Sequence, residues 1–383
     1  MPDLSNSNIE GIRKLPVAEF LDLCRLIGKG LSLRSSAIVS PAMPVVDVRS
    51  PGEYSQGHIP GACNLPLFSD EERAEVGTVY KQRGHEEAVF RGLAIVGPKM
   101  EDFARKARSI AGSGLEVAMY CSRGGMRSGS LSWLFAQAGV RVHLLEGGYK
   151  AFRQYALSFL EGLGKAQPYS LLVLGGRTGS GKTDVLRRMA FLGAQVLDLE
   201  GMACHRGSAF GSVKDKDQPS CEHFSNQLAL ALSRFDPALP VWVEDESENI
   251  GLVNQPKAFY HLLRASALVV LDVPRHLRQK RVLEEYGDIP NHEMSQALDR
   301  IHKRLGGLAH KQAHEFLDKG DLSSLACVLL DYYDRAYDKQ IRSREPVAVV
   351  HAERASTAAK RLVELEREFL PSLFSESYSQ VFR

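Results

Sequence analysis

The sequence predicts an α/β chain built from two parallel-sheet domains, and three observations carry that reading. Its 383 residues exceed one ordinary domain and suit two. Short β-rich apolar runs alternate with helical patterns, and the connections between them are long enough for crossover helices between parallel strands. Two glycine-rich loops, at Cys121 and Gly176, each follow an apolar run and precede a helical pattern.

In chain order, Val45 to Val48, Val117 to Tyr120 and Val142 to Leu145 read as buried strands. A break is expected over Glu161 to Pro168, where two glycines and a proline follow a helical pattern. The expected domains are therefore residues 1–160 and 161–383. Beyond the break, Leu171 to Leu174, Gln195 to Leu199, Val241 to Glu244, Leu268 to Val273 and Val347 to Val350 form a second set of strands, with helical stretches between them.

Composition narrows the function classes. With 44% hydrophobic and 25% charged residues the chain reads as globular, which excludes a disordered, collagenous or coiled-coil protein. The formal charge of +2 makes any basic surface local. The longest apolar runs fall far short of the ~20 residues a membrane helix needs. The first residues carry no apolar export signal, so a cytoplasmic protein is expected. Six scattered cysteines without a C-x-x-C pair argue against a disulfide scaffold or zinc ribbon, and no metal site is predicted.

The first chemical site is the string Cys121-Ser122-Arg123-Gly124-Gly125-Met126-Arg127-Ser128. It puts a cysteine on a strand-to-helix loop, where backbone N–H groups, the helix dipole and two arginines favour a thiolate and bind an oxyanion. The glycines let the backbone curl around such a ligand. Cys121 is the candidate nucleophile, and Ser122, Arg123, Gly124, Gly125, Met126 and Arg127 form its anion loop.

Upstream stand Asp47-Val48-Arg49, Glu53-Tyr54, Gly57-His58-Ile59-Pro60-Gly61-Ala62 and Asn64-Leu65-Pro66, and downstream Gly147-Gly148-Tyr149. With Cys121, these residues closely resemble the rhodanese family from Val45 to Phe152. The resemblance implies a small parallel-sheet domain whose loop cysteine carries sulfur or selenium. Asp47 and Arg49 read as a bracing pair, and His58 as an internal hydrogen-bonding group. Arg127 lies six positions after Cys121, one more than in the usual sulfurtransferase loop. The longer loop resembles those of rhodanese-like phosphatases and arsenate reductases, and it suits phosphate or selenophosphate; spacing does not choose between them.

The second site is Gly176-Arg177-Thr178-Gly179-Ser180-Gly181-Lys182-Thr183, a G-x-x-x-x-G-K-[ST] loop between an apolar strand and the helical Asp184 to Leu192. Its N–H groups would wrap a diphosphate, Lys182 would add charge, and Thr183 would reach a magnesium ion. In Val241-Trp242-Val243-Glu244-Asp245-Glu246, Asp245 is the first choice for the accompanying carboxylate and Glu244 the second. His205 and Arg206, in a glycine-rich segment after a strand, are candidate ligand contacts. Arg278, Lys280 and Arg281, on a basic helix, are candidate contacts for nucleic-acid phosphates, with His302-Lys303-Arg304 and His310-Lys311 further along.

The order of these parts, including His205-Arg206-Gly207-Ser208-Ala209-Phe210-Gly211, resembles the tRNA 2-selenouridine synthase family over nearly the whole chain. The resemblance implies a rhodanese-like parallel-sheet domain followed by a P-loop NTPase-like one. It also implies a transferase that converts wobble 2-thiouridine in tRNA to 2-selenouridine through S-geranyl-2-thiouridine, with geranyl diphosphate and selenophosphate as substrates. No tightly bound cofactor is expected, and magnesium is a candidate at the phosphate loop. The alternative reading is a P-loop small-molecule kinase fused to a rhodanese-like phosphatase or sulfurtransferase, because Arg275 and Arg281 after Leu271-Asp272-Val273-Pro274 are similar to nucleotide-kinase lid arginines.

Overall fold

The computed structural model describes residues 11–28, 41–166, 169–205, 217–287, 289–341 and 344–380. These divide into two compact units, one made of residues 11–28, 41–161 and 219–234, the other of the remainder. Residues 219–234, which the sequence reading places in the second domain, thus pack with the first.

The first unit runs β1 (Ile12–Leu15), α1 (Val17–Leu23), β2 (Val45–Asp47), α2 (Pro51–Gln56), β3 (Cys63–Asn64), α3 (Asp70–Arg83), α4 (His85–Val96) and α5 (Met100–Ala111). It continues through β4 (Glu116–Tyr120), α6 (Met126–Gln137), β5 (Arg141–Leu145) and α7 (Gly148–Ala166). The strands form one parallel sheet in the order β1-β5-β4-β2-β3. Val46, Val117, Met119 and Val142 are buried in the sheet, against Phe103 and Ala107 of α5 and Leu131 and Phe135 of α6. Near-continuous apolar runs are what a parallel sheet covered on both faces demands. Each large side chain so buried contributes about 1.5–3 kcal/mol. Within the expected break at Glu161 to Pro168, α7 runs on to Ala166, while the division between the two units falls after Glu161. Glycine costs a helix only about 1 kcal/mol relative to alanine, which a long helix tolerates.

The second part of the chain gives β6 (Leu171–Gly175), α8 (Lys182–Phe191), β7 (Gln195–Leu197), α9 (Leu199–Ala203) and α10 (Cys221–Ser233). Next come β8 (Val241–Glu244), the small antiparallel pair β9 (Asn249–Ile250) and β10 (Val253–Asn254), α11 (Lys257–Ala265) and β11 (Ala267–Asp272). Four helices follow, α12 (Arg275–Tyr286), α13 (Asn291–Leu305), α14 (Gly307–Asp318) and α15 (Leu322–Ile341), then β12 (Ala348–His351) and α16 (Ala355–Gln380). The sheet is parallel, ordered β12-β11-β6-β8-β7. β6 is buried along its whole length, so the loop after it leaves from the middle of the sheet. The α12 to α15 segment has its own core, with Val282, Leu298, Ile301, Leu325 and Leu329 buried together.

Candidate functional site

Cys121 follows the last residue of β4, and α6 begins five residues later at Met126. The loop is held from beneath by the next strand-to-helix turn. Tyr149 N–H donates to the Cys121 carbonyl at 2.8 Å and Lys150 N–H to the Ser122 carbonyl at 3.0 Å. Gly148, at φ +60°, makes the close approach possible: a Cβ there would stand 2.6 Å from the Gly124 nitrogen and 2.8 Å from the Arg123 nitrogen.

The Cys121 sulfur is buried, and the Ser128 hydroxyl lies 3.1 Å from it. Burial alone would push the thiol up. The Ser128 hydroxyl and the backbone N–H groups of Ser128, Arg123 and Gly125 outweigh it, so the thiol ionises below its ordinary range. Arg127 does not point its charge at the sulfur in this arrangement. Its guanidinium grips Glu53 at 2.6 and 3.2 Å. Glu53 also accepts from Ser50 N–H at 3.3 Å and is held below the ordinary carboxylate range against the pull of burial. Arg123, Gly124, Gly125 and Met126 are exposed, and Ser122 is half-buried. Ser128, for which the sequence reading has no role, supplies a side-chain hydrogen bond to the sulfur.

Asp47 and Arg49 form a buried pair at 2.7 Å, and Arg49 also donates to the Gly57 carbonyl at 2.6 Å. The Arg49 guanidinium lies 3.8 Å from the centre of the Tyr149 ring. The Tyr149 hydroxyl donates to Glu222 of α10 at 2.6 Å and accepts from Asn226 at 2.9 Å. Arg153 donates to Asn226 at 2.8 Å. His58 is stacked between Tyr54 and His223, with ring centres 3.7 and 3.8 Å away. Its Nδ1 lies 2.9 Å from the Tyr54 carbonyl. α10 is thus tied to the rhodanese-like sequence through side chains whose pairing no local pattern signals.

In the second unit, Gly176, Gly179 and Gly181 have φ of +159°, +77° and +77°. Lys182 donates to the Gly176 carbonyl at 3.0 Å, and Arg177 pairs with Asp338 at 2.9 Å. Ser180 N–H donates to the Arg177 carbonyl at 3.0 Å, and the Ser180 hydroxyl is buried without a partner among the described residues. Thr183 donates to Glu200 at 2.7 Å.

Asp245, the first choice in the sequence for the carboxylate that accompanies this loop, is engaged by arginines. Asp245 is buried and accepts from Arg264 at 3.2 Å and from Arg344 at 3.1 Å, so its charge is already matched. β8 ends at Glu244, and Glu246 N–H donates back to the Glu244 carbonyl at 3.0 Å, a tight turn centred on Asp245. Glu244 and Glu246 both lie near Glu200. Burial and Glu200 push Glu246 up to about 8, against the opposing pull of Lys182. Burial, Asp198 and Glu200 hold Glu244 above its usual range too, and its Oε1 has no partner among the described residues. Hard cations take oxygen donors. A partnerless carboxylate oxygen in an acidic cluster beside a threonine hydroxyl fits magnesium.

The basic helix also departs from expectation. Arg278 is buried, pairs with both oxygens of Asp334 at 2.8 Å, and donates to the Thr178 carbonyl at 3.2 Å. It therefore braces the phosphate loop and is not a surface contact for tRNA. Arg281 donates to the Gly179 carbonyl at 2.9 Å and packs on Gly181. Lys280 is exposed, 4.0 Å from Glu284. Arg275 pairs with Asp331 at 2.6 Å. His205 is half-buried and is held below its ordinary range by burial and by Arg300. Arg206 lies outside the described residues.

Residues 35–155 match the Rhodanese-like domain, and residues 169–366 match the tRNA 2-selenouridine synthase AAA domain. The chain is 35% identical over 336 residues to the tRNA 2-selenouridine synthase of Shewanella loihica, covering 79% of this chain and 88% of that protein. It is 36% identical over 337 residues to the enzyme of that name from Hydrogenovibrio crunogenus, covering 80% and 92%. This chain belongs to the tRNA 2-selenouridine synthase family. In this member of the synthase family the rhodanese-like region holds Cys121 and Ser128, and the AAA region holds the phosphate loop with Glu200, Glu244 and Glu246. Among the described residues, no helix is long and apolar enough to cross a membrane.

Proposed function

We propose that this protein replaces the sulfur of wobble 2-thiouridine in tRNA with selenium in two steps, each assigned to one anion-binding loop. Membership of the synthase family, at 35% identity over 79% of the chain, carries this reading. Sulfide leaves a thiocarbonyl carbon poorly. In the first step the thiouridine sulfur attacks C1 of geranyl diphosphate, the C–O bond breaks, and pyrophosphate departs. In the second step the Cys121 thiolate attacks the phosphorus of selenophosphate, the P–Se bond breaks, the released selenide adds at C2 as the geranylthio group leaves and is protonated to a thiol, and water then frees phosphate from Cys121.

The phosphate loop is assigned to the diphosphate. Its N–H groups, Lys182 and Arg281 supply positive charge where pyrophosphate charge develops. Thr183, Glu200 and Glu244, with Glu246 beside them, would hold magnesium, which supplies further neutralisation when bound. The Cys121 loop is assigned to selenium delivery, with Cys121 as nucleophile, because its hydroxyl and N–H donors favour a negative charge at the sulfur position.

The test is to incubate the protein with RNA containing 2-thiouridine and geranyl diphosphate, with and without selenophosphate, and follow nucleoside mass. S-geranyl-2-thiouridine should form without selenophosphate, and 2-selenouridine with it. Lys182→Ala should suppress geranylation, since losing a charge-assisted contact costs about 1.5–3 kcal/mol, roughly 10- to 100-fold. Cys121→Ser should geranylate normally and accumulate the intermediate. Unchanged geranylation in the first variant, or normal selenouridine formation in the second, would remove that loop from the chemistry.

A further inference from the structure

Away from both loops, Asp299 of α13 and His310 and His314 of α14 bring one side-chain donor each to a common point. His310 and His314 are four residues apart and therefore share a face of α14. The buried residues of α13 include Leu298 and Ile301, which leaves Asp299 on the exposed side. A glycine turn at Gly306, φ +90°, lets the second helix fold back. His310 Nε2 lies 2.9 Å from Asp299 Oδ1, His314 Nε2 lies 3.2 Å from the same oxygen, and the two nitrogens are 3.1 Å apart. The His302 ring packs on His310 with centres 4.2 Å apart.

Each Nε2 carries either one N–H or one lone pair. With protons alone, the triangle is satisfied only if both rings donate to the one Asp299 oxygen. In that arrangement two N–H groups converge on one oxygen with their nitrogens only 3.1 Å apart. If one is unprotonated, its lone pair faces the carboxylate oxygen. A cation placed among the three atoms turns every one of these edges into a lone pair directed at positive charge. The spacing also suits one: donors about 2.1 Å from an ion stand about 3.0 Å apart in an octahedral array and about 3.4 Å apart in a tetrahedral one.

We propose that Asp299, His310 and His314 bind a divalent transition ion, zinc by the match of two imidazoles and a carboxylate, which clasps α13 to α14. Imidazole donors select zinc, cobalt or nickel over magnesium. Water would complete the coordination on the solvent side, where Asp299 is exposed.

Cobalt(II) titration of the metal-stripped full-length protein tests this directly. The expected result is visible d–d absorption that saturates at one ion per chain, shows no thiolate charge-transfer band, is displaced by zinc and is indifferent to excess magnesium. The His310→Asn/His314→Gln double variant, with its fold checked by circular dichroism, should lose the signal. Absence of saturable binding in the parent protein overturns the proposal whatever the variant does. So does a thiolate band, which would place the ion on a cysteine, or a spectrum that survives in the folded double variant.

Discussion

The Ser128 hydroxyl stands 3.1 Å from the Cys121 sulfur, within the first turn of α6, where it joins three backbone N–H groups around a buried thiol. The arginine that the loop spacing singles out, Arg127, is meanwhile engaged by Glu53.

Ser128→Ala should therefore shift the pH midpoint for alkylation of Cys121 upward, because the hydroxyl is the strongest of the groups that lower the thiol. Site-resolved mass spectrometry after timed iodoacetamide exposure reads it. An unmoved midpoint would leave the N–H groups as the sole cause.

Gly148→Ala should disturb the same loop from below. The added methyl group would meet the backbone of Cys121, Arg123 and Gly124 at a positive φ that alanine adopts reluctantly. A loss of about 1–3 kcal/mol in urea denaturation is expected, together with a changed rate of Cys121 alkylation. A variant equal to the parent in both would show that the loop does not rest on this glycine.

Glu246 links stability to pH. Its folded carboxyl is raised from 4.5 to about 8, so the favourable share from its neutral form is complete below about 4.5 and is lost as pH rises through about 8. Glu246→Gln keeps a neutral side chain at every pH. Its melting temperature relative to the parent should rise between pH 4.5 and 8 and level off above. A difference that stays flat across that range would contradict the buried acidic cluster.

Arg278→Ala should unfold the protein more easily by about 3–5 kcal/mol, the usual cost of stranding a buried partner such as Asp334. The slope of tRNA affinity against salt should stay at the parent value. A lost phosphate contact would instead lower the log–log slope by about 0.7–0.9. That loss, with stability unchanged, would restore Arg278 to the surface role.

Much of the fold was legible because buried parallel strands are continuous apolar runs, and a run such as Leu171 to Leu174 admits few other readings. The short β1 and β3 lack that signal. The phosphate loop was legible because its glycines and Lys182-Thr183 fall together between a strand and a helix. Glu244, Asp245 and Glu246 were legible as acids but not by role, since the chain turns tightly at Asp245 just past the strand end and the string of acids does not record that turn. Arg278 reads as basic in a string; only its closeness to Asp334, 56 residues on, shows it to be an internal strut.

The helix α10 gives the chain a schedule. Glu222 and Asn226 close on Tyr149 and Arg153, and the Ser220 hydroxyl closes on the Gln56 carbonyl. During synthesis on the ribosome the Cys121 loop is complete long before these partners emerge. Until residue 234 has left the exit tunnel, the first unit lacks one of its own helices. A fragment cut after Glu161 would carry every residue of the loop yet resemble a nascent intermediate rather than a mature half, so function mapped on such a fragment would describe the wrong molecule.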